Sequence, residues 1–339
     1  MSPSTHLSER APERPRLGDA LLDRYLEFVE SRARHNTLLA TASDLRAFFA
    51  VVTKPVAEVT TADVLEFIAE QRRPRGDGRV VRLADGEAGL SSRTIKRRLS
   101  SVSGLYVYLG MCDEAGANPV PRGLATRRPG RRGVALIRTP RTLPKILEPA
   151  DVDALMAALR RWRDRAMVEA MVLGGLRRCE VLGVRIEDLR PGPGRLFVAN
   201  GKGGHQRLIP ISGRFFRSVA AYMERERPAG ASTDRLFVVL KGPRRGRPLS
   251  EDGIDEIIRG ARGRAGLAHA SCHELRHTCL TRLREAGMAL EAVQAQAGHR
   301  SIESTRLYLH LSNDWLAAEY HRAAQLIDAS QALAQAAAR

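Results

Sequence analysis

Apolar residues recur at helical spacing through most of this chain, and the breaks in that rhythm divide it. From Asp19 to Arg34 the positions Leu21, Leu22, Tyr25, Leu26, Phe28 and Val29 trace one face of a helix. A second helix is predicted from about Thr37 to Val51, and a third from about Thr61 to Gln71, opened by the capping run Thr60-Thr61-Ala62-Asp63. Arg72 to Gly89 holds glycine and arginine and reads as a loop or short hairpin. Ser91 opens a further helix to about Gly110, whose Leu99, Val102, Leu105, Tyr106 and Leu109 face inward.

The second half mixes helical and strand periods. Helices are predicted from about Pro149 to Arg160 and from Trp162 to Leu173, with a break at Gly174-Gly175 and a short helix after Leu176. Arg195 to Ala199 and Arg207 to Ile211 read as strands flanking the loop Asn200-Gly-Lys-Gly-Gly204. Helices resume over Arg214–Arg225, Ser250–Arg264, Cys272–Ala286, Ala289–Ala297 and Ser301–Leu309, with a last one from about Asp314. The expected fold is mostly α. Residues 17–117 form an all-α domain of four or five helices, and residues 148–313 form an α+β domain of helices with a small antiparallel sheet. Residues 1–16 are expected to be a flexible N-terminus, 118–147 an interdomain linker, and 314–339 a C-terminal helix and tail.

Charge changes this picture more than hydropathy does. The chain carries 55 Lys and Arg against 38 Asp and Glu, a net charge of +17, which points to a polyanionic partner. The linker concentrates that charge: Arg122 to Lys145 holds eight basic residues and no acid, a pattern suited to lying along duplex DNA. Arg127, Arg128, Arg131 and Arg132 in the linker are candidate backbone-phosphate contacts, as are Arg93, Thr94, Lys96, Arg97 and Arg98 at one helix start. A merely solvated basic face is the alternative for the second group, and a solubilising tether is the alternative for the linker. Hydrophobic content of 43% fits a globular chain, and no run of about eighteen apolar residues is present. Met1 to Arg16 is polar and lacks an apolar signal core, so a cytoplasmic location is expected. Cys112, Cys179, Cys272 and Cys279 form no C-x-x-C pair and are expected to be small buried thiols.

The richest chemistry lies in His273-Glu-Leu-Arg276-His277, Ala297-Gly298-His299 and Thr305-Arg-Leu-Tyr308. The first segment also spells H-E-x-x-H, the zinc-protease pattern in which two histidines four apart share a metal. No third ligand is singled out, and an arginine beside a catalytic zinc is an electrostatic liability. Ser271-Cys-His-Glu274 is instead a capping box, which gives Glu274 a local job. Leu275, Cys279, Leu283 and Ala286 then form one apolar stripe, with Gly287 as the stop, so His273 and Arg276 are expected in the first turn, facing away from the core. A helix N-terminus with a nearby arginine suits a phosphate, and its field disfavours an imidazolium at His273. Phosphate is the preferred reading; no metal or cofactor is expected.

Two upstream segments complete the pattern. Gly174-Gly-Leu-Arg177-Arg-Cys-Glu180-Val resembles T-G-L-R-x-x-E-L, and Gly201-Lys202-Gly203-Gly-His-Gln-Arg207 resembles G-K-G-x-x-x-R. With the C-terminal boxes, this ordered set resembles the tyrosine recombinase (phage integrase) family. The resemblance implies a helical core-DNA-binding domain followed by a catalytic domain of the DNA breaking-rejoining type. It also implies a site-specific recombinase, integrase- or transposase-like, working through a 3′-phosphotyrosine bond without metal or ATP. Tyr308 would be the nucleophile, and Arg177 and Arg276 would clamp the non-bridging oxygens. His299 would donate a further hydrogen bond, His273 would take the tyrosine proton, and Lys202 would protonate the departing 5′ oxygen. Glu180 would support an arginine or histidine. His277 is read as supporting or structural.

The sequence departs from the family pattern at Gly174 (usually Thr or Ser), Arg178 (usually aliphatic) and Ala297 (usually Leu). No further domain is expected ahead of residue 17, as in simple two-domain recombinases. Trp315, Leu316, Ala318, Tyr320, Ala323, Leu326 and Ile327 make the C-terminal helix apolar around much of its girth. It could fold onto its own domain; in this family such helices often dock into a neighbouring subunit, so a homotetramer on double-stranded DNA is expected, with a related recombinase or a DNA-bending protein as a further partner. A type IB topoisomerase-like relaxase, a DNA-binding protein that no longer cuts, and remotely the zinc protease are the rivals.

Overall fold

The computed structural model of the chain describes residues 15–73, 89–123, 136–139, 145–199 and 206–298. The chain divides into two compact units between Arg141 and Thr142.

The first unit holds α1 (Ala20–Arg32), α2 (His35–Phe49), α3 (Thr61–Arg72) and α4 (Ser92–Met111). Local polar chemistry sets where α1, α3 and α4 start. Asp19 Oδ1 accepts the N–H groups of Leu21 and Leu22 at 2.9 and 3.1 Å. Asp63 Oδ2 accepts the N–H of Thr60 at 2.8 Å, and Ser91 Oγ accepts that of Thr94 at 3.2 Å. Leu26, Leu45, Phe48, Phe67, Ile95, Leu105 and Leu109 close the core without measurable exposure. Phe48 meets Phe67 edge-on with centroids 4.9 Å apart, a favoured aromatic geometry.

One buried acid joins these helices. Asp44 of α2 is 1% exposed and accepts Arg97 Nη1 at 2.7 Å and Ser101 Oγ at 2.9 Å, both from α4. Arg98 turns to the Gln71 side chain of α3, and its own side chain is only 18% exposed. Within the expected basic face, Arg98 is therefore directed into the unit, and Arg97 is tethered. Arg93 and Lys96 are exposed there, as is Arg97 outside its contact with Asp44. Thr94 is half-buried and pairs with the Ser91 hydroxyl at 2.9 Å.

The second unit runs α5 (Pro149–Ala158), α6 (Trp162–Val172), α7 (Arg178–Gly183), β1 (Leu189–Arg190), β2 (Arg195–Val198), β3 (Arg207–Pro210), α8 (Gly213–Arg225), α9 (Glu251–Arg264), α10 (Cys272–Glu285) and α11 (Leu290–Ala297). Buried from Ala166 to Val172, α6 is the central helix and packs on α8 and α10. The strands form one antiparallel sheet in the order β1-β2-β3, with Leu196, Val198 and Ile209 facing the core. The expected mostly helical fold with a small antiparallel sheet is present; β1, two residues long, was too short to show alternation. Gly287 and Gly298 end α10 and α11 at φ +90° and +61°. Among the described residues no helix is long and apolar enough to cross a membrane.

Cys272 and Cys279 are buried as expected, whereas Cys112 and Cys179 are exposed. Both exposed thiols sit at helix ends, where apolar neighbours in sequence do not guarantee cover. The expected N-terminal segment, most of the loop after Arg72, and Arg127, Arg128, Arg131 and Arg132 lie outside the described residues. So do Lys202, His299, Tyr308 and the C-terminal helix.

Candidate active site

Glu180 is the centre of the site. It sits in the first turn of α7, and its side chain is fully buried. Arg177 donates to it twice, from Nη1 to Oε1 at 2.8 Å and from its backbone N–H to Oε2 at 2.9 Å. Arg207, the first residue of β3, grips both oxygens with its fork, at 3.0 and 2.9 Å. Arg276 Nη1 stands 3.8 Å from Oε2. Burial alone would raise the Glu180 carboxyl pKa; the Arg207 bonds and charge, reinforced by Arg177, overcome that and hold it below the usual range. Three guanidinium groups around one carboxylate leave two positive charges in excess, which favours an anion nearby.

The same three arginines hold the end of α11. Arg207 Nε donates to Gln296 O at 3.2 Å, Arg276 Nη2 to Ala297 O at 2.7 Å, and Arg177 Nη2 to Gly298 O at 3.3 Å. Carbonyls at a helix C-terminus have no partner within the helix and carry the negative end of its dipole, so cations suit them. The Gln296 amide adds bonds to Gly174 O at 2.9 Å and Pro210 O at 3.1 Å. The segment just before His299 is thus fixed from three directions.

The Gly174-Gly175 corner supplies the remaining anchor. Gly175 has φ +68°, and its carbonyl accepts from Arg276 Nη1. At Gly174 a Cβ would stand 2.8 Å from Ala170 O, Leu176 Cδ1 and Ile211 Cδ1. The departure from Thr or Ser therefore matches how closely Leu176 and Ile211 pack here. Arg178, the second departure, pairs with Glu251 and Asp255 of α9 and so ties α7 to that helix. Ala297, the third, is fully buried beside Leu280 and Val293.

On α10, Ser271 Oγ accepts the Glu274 N–H at 3.3 Å, one half of the expected capping box. The Glu274 carboxylate lies 3.2 Å from His269 Nδ1, a neighbour the local pattern did not suggest. Arg276 corrects the sequence reading. It is the fifth residue of α10 rather than part of the first turn, and it is 3% exposed rather than turned from the core. A guanidinium can be buried there because Gly175 O and Ala297 O accept its protons. His273 is exposed, and its Nε2 lies 2.8 Å from that of His277.

The structure thus brings Arg177, Glu180 and Arg276 together and adds Arg207, which the sequence reading left without a role. Arg207 closes the G-K-G-x-x-x-R segment, so its place in that motif was the available signal. Among the described residues no three His, Cys, Asp or Glu side chains gather to hold a metal ion.

Comparison with known proteins identifies the family. Residues 145–314 match the phage integrase family, and residues 22–110 match the phage integrase N-terminal SAM-like domain. The tyrosine recombinase XerD of Caulobacter vibrioides is 31% identical over 312 residues, covering 88% of this chain and 94% of the relative. XerC of Pelobacter propionicus is 29% identical over 307 residues, covering 88% and 92%. Among solved structures, the Tn1549 transposon integrase in complex with transposon right end DNA aligns with a TM-score of 0.67 at 19% identity, covering 90% of this chain and 98% of that one. The chain belongs to the tyrosine recombinase (phage integrase) family.

Proposed function

We propose that the protein cuts and rejoins duplex DNA at a specific site through a covalent bond between Tyr308 and a 3′ phosphate. Family membership makes it a DNA strand-cleaving and rejoining enzyme, a site-specific recombinase. The observation that carries the reading is the convergence of Arg177, Arg207 and Arg276 on Glu180 at the end of α11, one residue before His299.

The roles follow from the chemistry. A phenol of pKa about 10 is a weak nucleophile at neutral pH, and a phosphodiester anion repels its phenolate. Arg177 and Arg276 neutralise the non-bridging oxygens as charge builds on them, with a hydrogen bond from His299. The Tyr308 oxygen bonds to phosphorus as the P–O5′ bond breaks. The tyrosine proton passes to His273, and Lys202 gives a proton to the departing O5′. Attack by the 5′ hydroxyl of a partner strand reverses these steps, so no high-energy cofactor is consumed. The exposed Arg93 and Lys96 contact backbone phosphates, and four subunits assemble on two DNA sites. A chromosomal or plasmid substrate places the enzyme in the cytoplasm.

A library of nicked duplexes with randomised sequence beside the nick tests this reading. Cleavage near the nick releases a short fragment bearing the 5′ hydroxyl, so the protein–DNA bond cannot reseal. Wild-type protein is expected to remain attached after denaturation, with or without a chelator, and sequencing the attached DNA identifies the site. Tyr308→Phe is expected to give no adduct. No adduct from the wild type, or one mapping to another residue, would overturn the proposal.

A further inference from the structure

Arg207 is the residue at this site whose contacts outrun any role so far assigned. Each of its three guanidinium nitrogens is engaged by the protein: Nη1 and Nη2 by the two Glu180 oxygens, and Nε by Gln296 O. Its plane also lies against Gly298, where an added Cβ would come within 2.9 Å of Nη1 and 3.0 Å of Cζ. Its fork faces inward, onto a carboxylate and a helix end. That is the geometry of a group that shapes the site.

Two consequences follow. First, a buried carboxylate beside Arg177 and Arg276 competes with any phosphate for those guanidinium groups. By occupying both Glu180 oxygens, Arg207 offsets that charge and leaves the field of the other two arginines available to an incoming anion. Second, Arg207 fixes the last turn of α11 from the sheet side while Arg276 and Arg177 fix it from the helices, so the turn ending at Gly298 is held on both sides. We propose that Arg207 is a positioning residue for strand cleavage: it neutralises Glu180 and holds the Gln296–Gly298 turn so that Arg177 and Arg276 meet the scissile phosphate together. This rests on the recombinase reading above and adds a residue to it.

The test uses the full chain on a nicked duplex carrying the sequence it attacks, with single-turnover adduct formation at saturating DNA as the readout. Arg207→Gln is expected to slow adduct formation about 100-fold, the scale of losing one preorganised electrostatic contact. The DNA concentration for half-saturation is expected to move less than about threefold, because the loss falls on the transition state. Arg207→Lys keeps a charge without the fork and is expected to recover about tenfold of that loss.

A second duplex separates positioning from mere folding. A methylphosphonate at the cleaved position is neutral, so the arginine field matters less there. On it the Arg207→Gln loss is expected to shrink below about fivefold. Equal losses on both duplexes, or none on either, overturn the inference. If Arg207→Gln proves too unstable to assay, the same comparison is made with Arg207→Lys. A wild type that forms no adduct counts against the recombinase reading; a wild type that cleaves while the Arg207 variants match it counts against this inference alone.

Discussion

His273 and His277 meet Nε2 to Nε2 at 2.8 Å, one turn apart on α10, with ring planes 77° from each other. Only one N–H fits between two nitrogens at that distance, so the pair shares a proton rather than each ring carrying its own there. Burial, then the His273 charge, then Arg276 push the His277 pKa down to about 4. His277 is therefore neutral at pH 7 and can orient His273 without adding charge, a role that His277 received from the sequence only as supporting or structural.

That depressed pKa predicts an acid-sensitive stability. In the unfolded chain His277 titrates near 6.5, and in the folded protein near 4. Between these values the unfolded state binds more protons, so stability held above pH 6.5 is lost as pH falls toward and through 4. Thermal midpoints of the wild type are expected to fall across this window, and those of His277→Gln to fall less steeply. Parallel slopes in the two proteins would show that His277 does not titrate as its surroundings require.

Cations that look alike along α4 separate by their partners. Arg97→Ala leaves the buried Asp44 with one donor fewer and is expected to cost about 1–3 kcal/mol of stability. Arg93→Ala and Lys96→Ala, at exposed positions, are expected to leave stability within about 0.5 kcal/mol. Each is expected instead to reduce the salt dependence of DNA binding by about 0.9 in log–log slope. Denaturant melts and binding titrations at several salt concentrations check both halves. Arg93 and Lys96 variants with an unchanged salt slope would mean that this face does not meet the phosphate backbone.

Thiol chemistry should divide the cysteines in the same way. Cys112 and Cys179 are exposed, whereas burial pushes the Cys272 and Cys279 thiols up to about 12. A thiolate is the reactive form, so iodoacetamide near pH 8 is expected to add twice to the native chain and four times in denaturant. Mass spectrometry reads the count directly, and a third rapid adduct on the native protein would place one of the buried thiols at the surface.

Local rules made much of this fold readable in advance. Thr60, Ser91 and Ser271 cap helices where the sequence places them, and apolar spacing finds the core of α4. The limits arise where distant segments meet. The first turn of α6 is capped by the Glu226 carboxylate, which accepts the N–H groups of Trp162 and Arg163 at 3.1 and 3.0 Å across more than sixty positions of chain. Arg276 was placed by helical periodicity on an open face, yet the glycine corner and the α11 carbonyls make a polar burial that periodicity does not register. Arg97 and Arg98 read as a surface charge cluster because Asp44 and Gln71 lie on other helices. Motif order found Arg177, Glu180 and Arg276 because a motif records tertiary proximity that hydropathy does not. Arg207 stood within such a motif, but only the folded geometry shows which atoms it holds.

Gly287 and Gly298 offer a matched pair for testing the end of α11. Both follow a helix with positive φ, at +90° and +61°, so an alanine at either pays about 1–2 kcal/mol for a left-handed backbone. Their surroundings differ. A Cβ on Gly287 meets no atom within 4 Å, whereas one on Gly298 comes within 2.9–3.1 Å of three atoms of the Arg207 guanidinium. That group is the flexible end of a side chain, so it would give way and loosen its hold on Glu180 and Gln296. Gly287→Ala is therefore expected to lose stability alone, with single-turnover cleavage within about threefold of wild type. Gly298→Ala is expected to lose similar stability and, in addition, at least about tenfold in cleavage rate, because a preorganised charge has moved. Thermal melts and adduct formation measured on both variants separate backbone strain from the arginine cluster. Equal cleavage by the two would sever the link between Gly298 and the site.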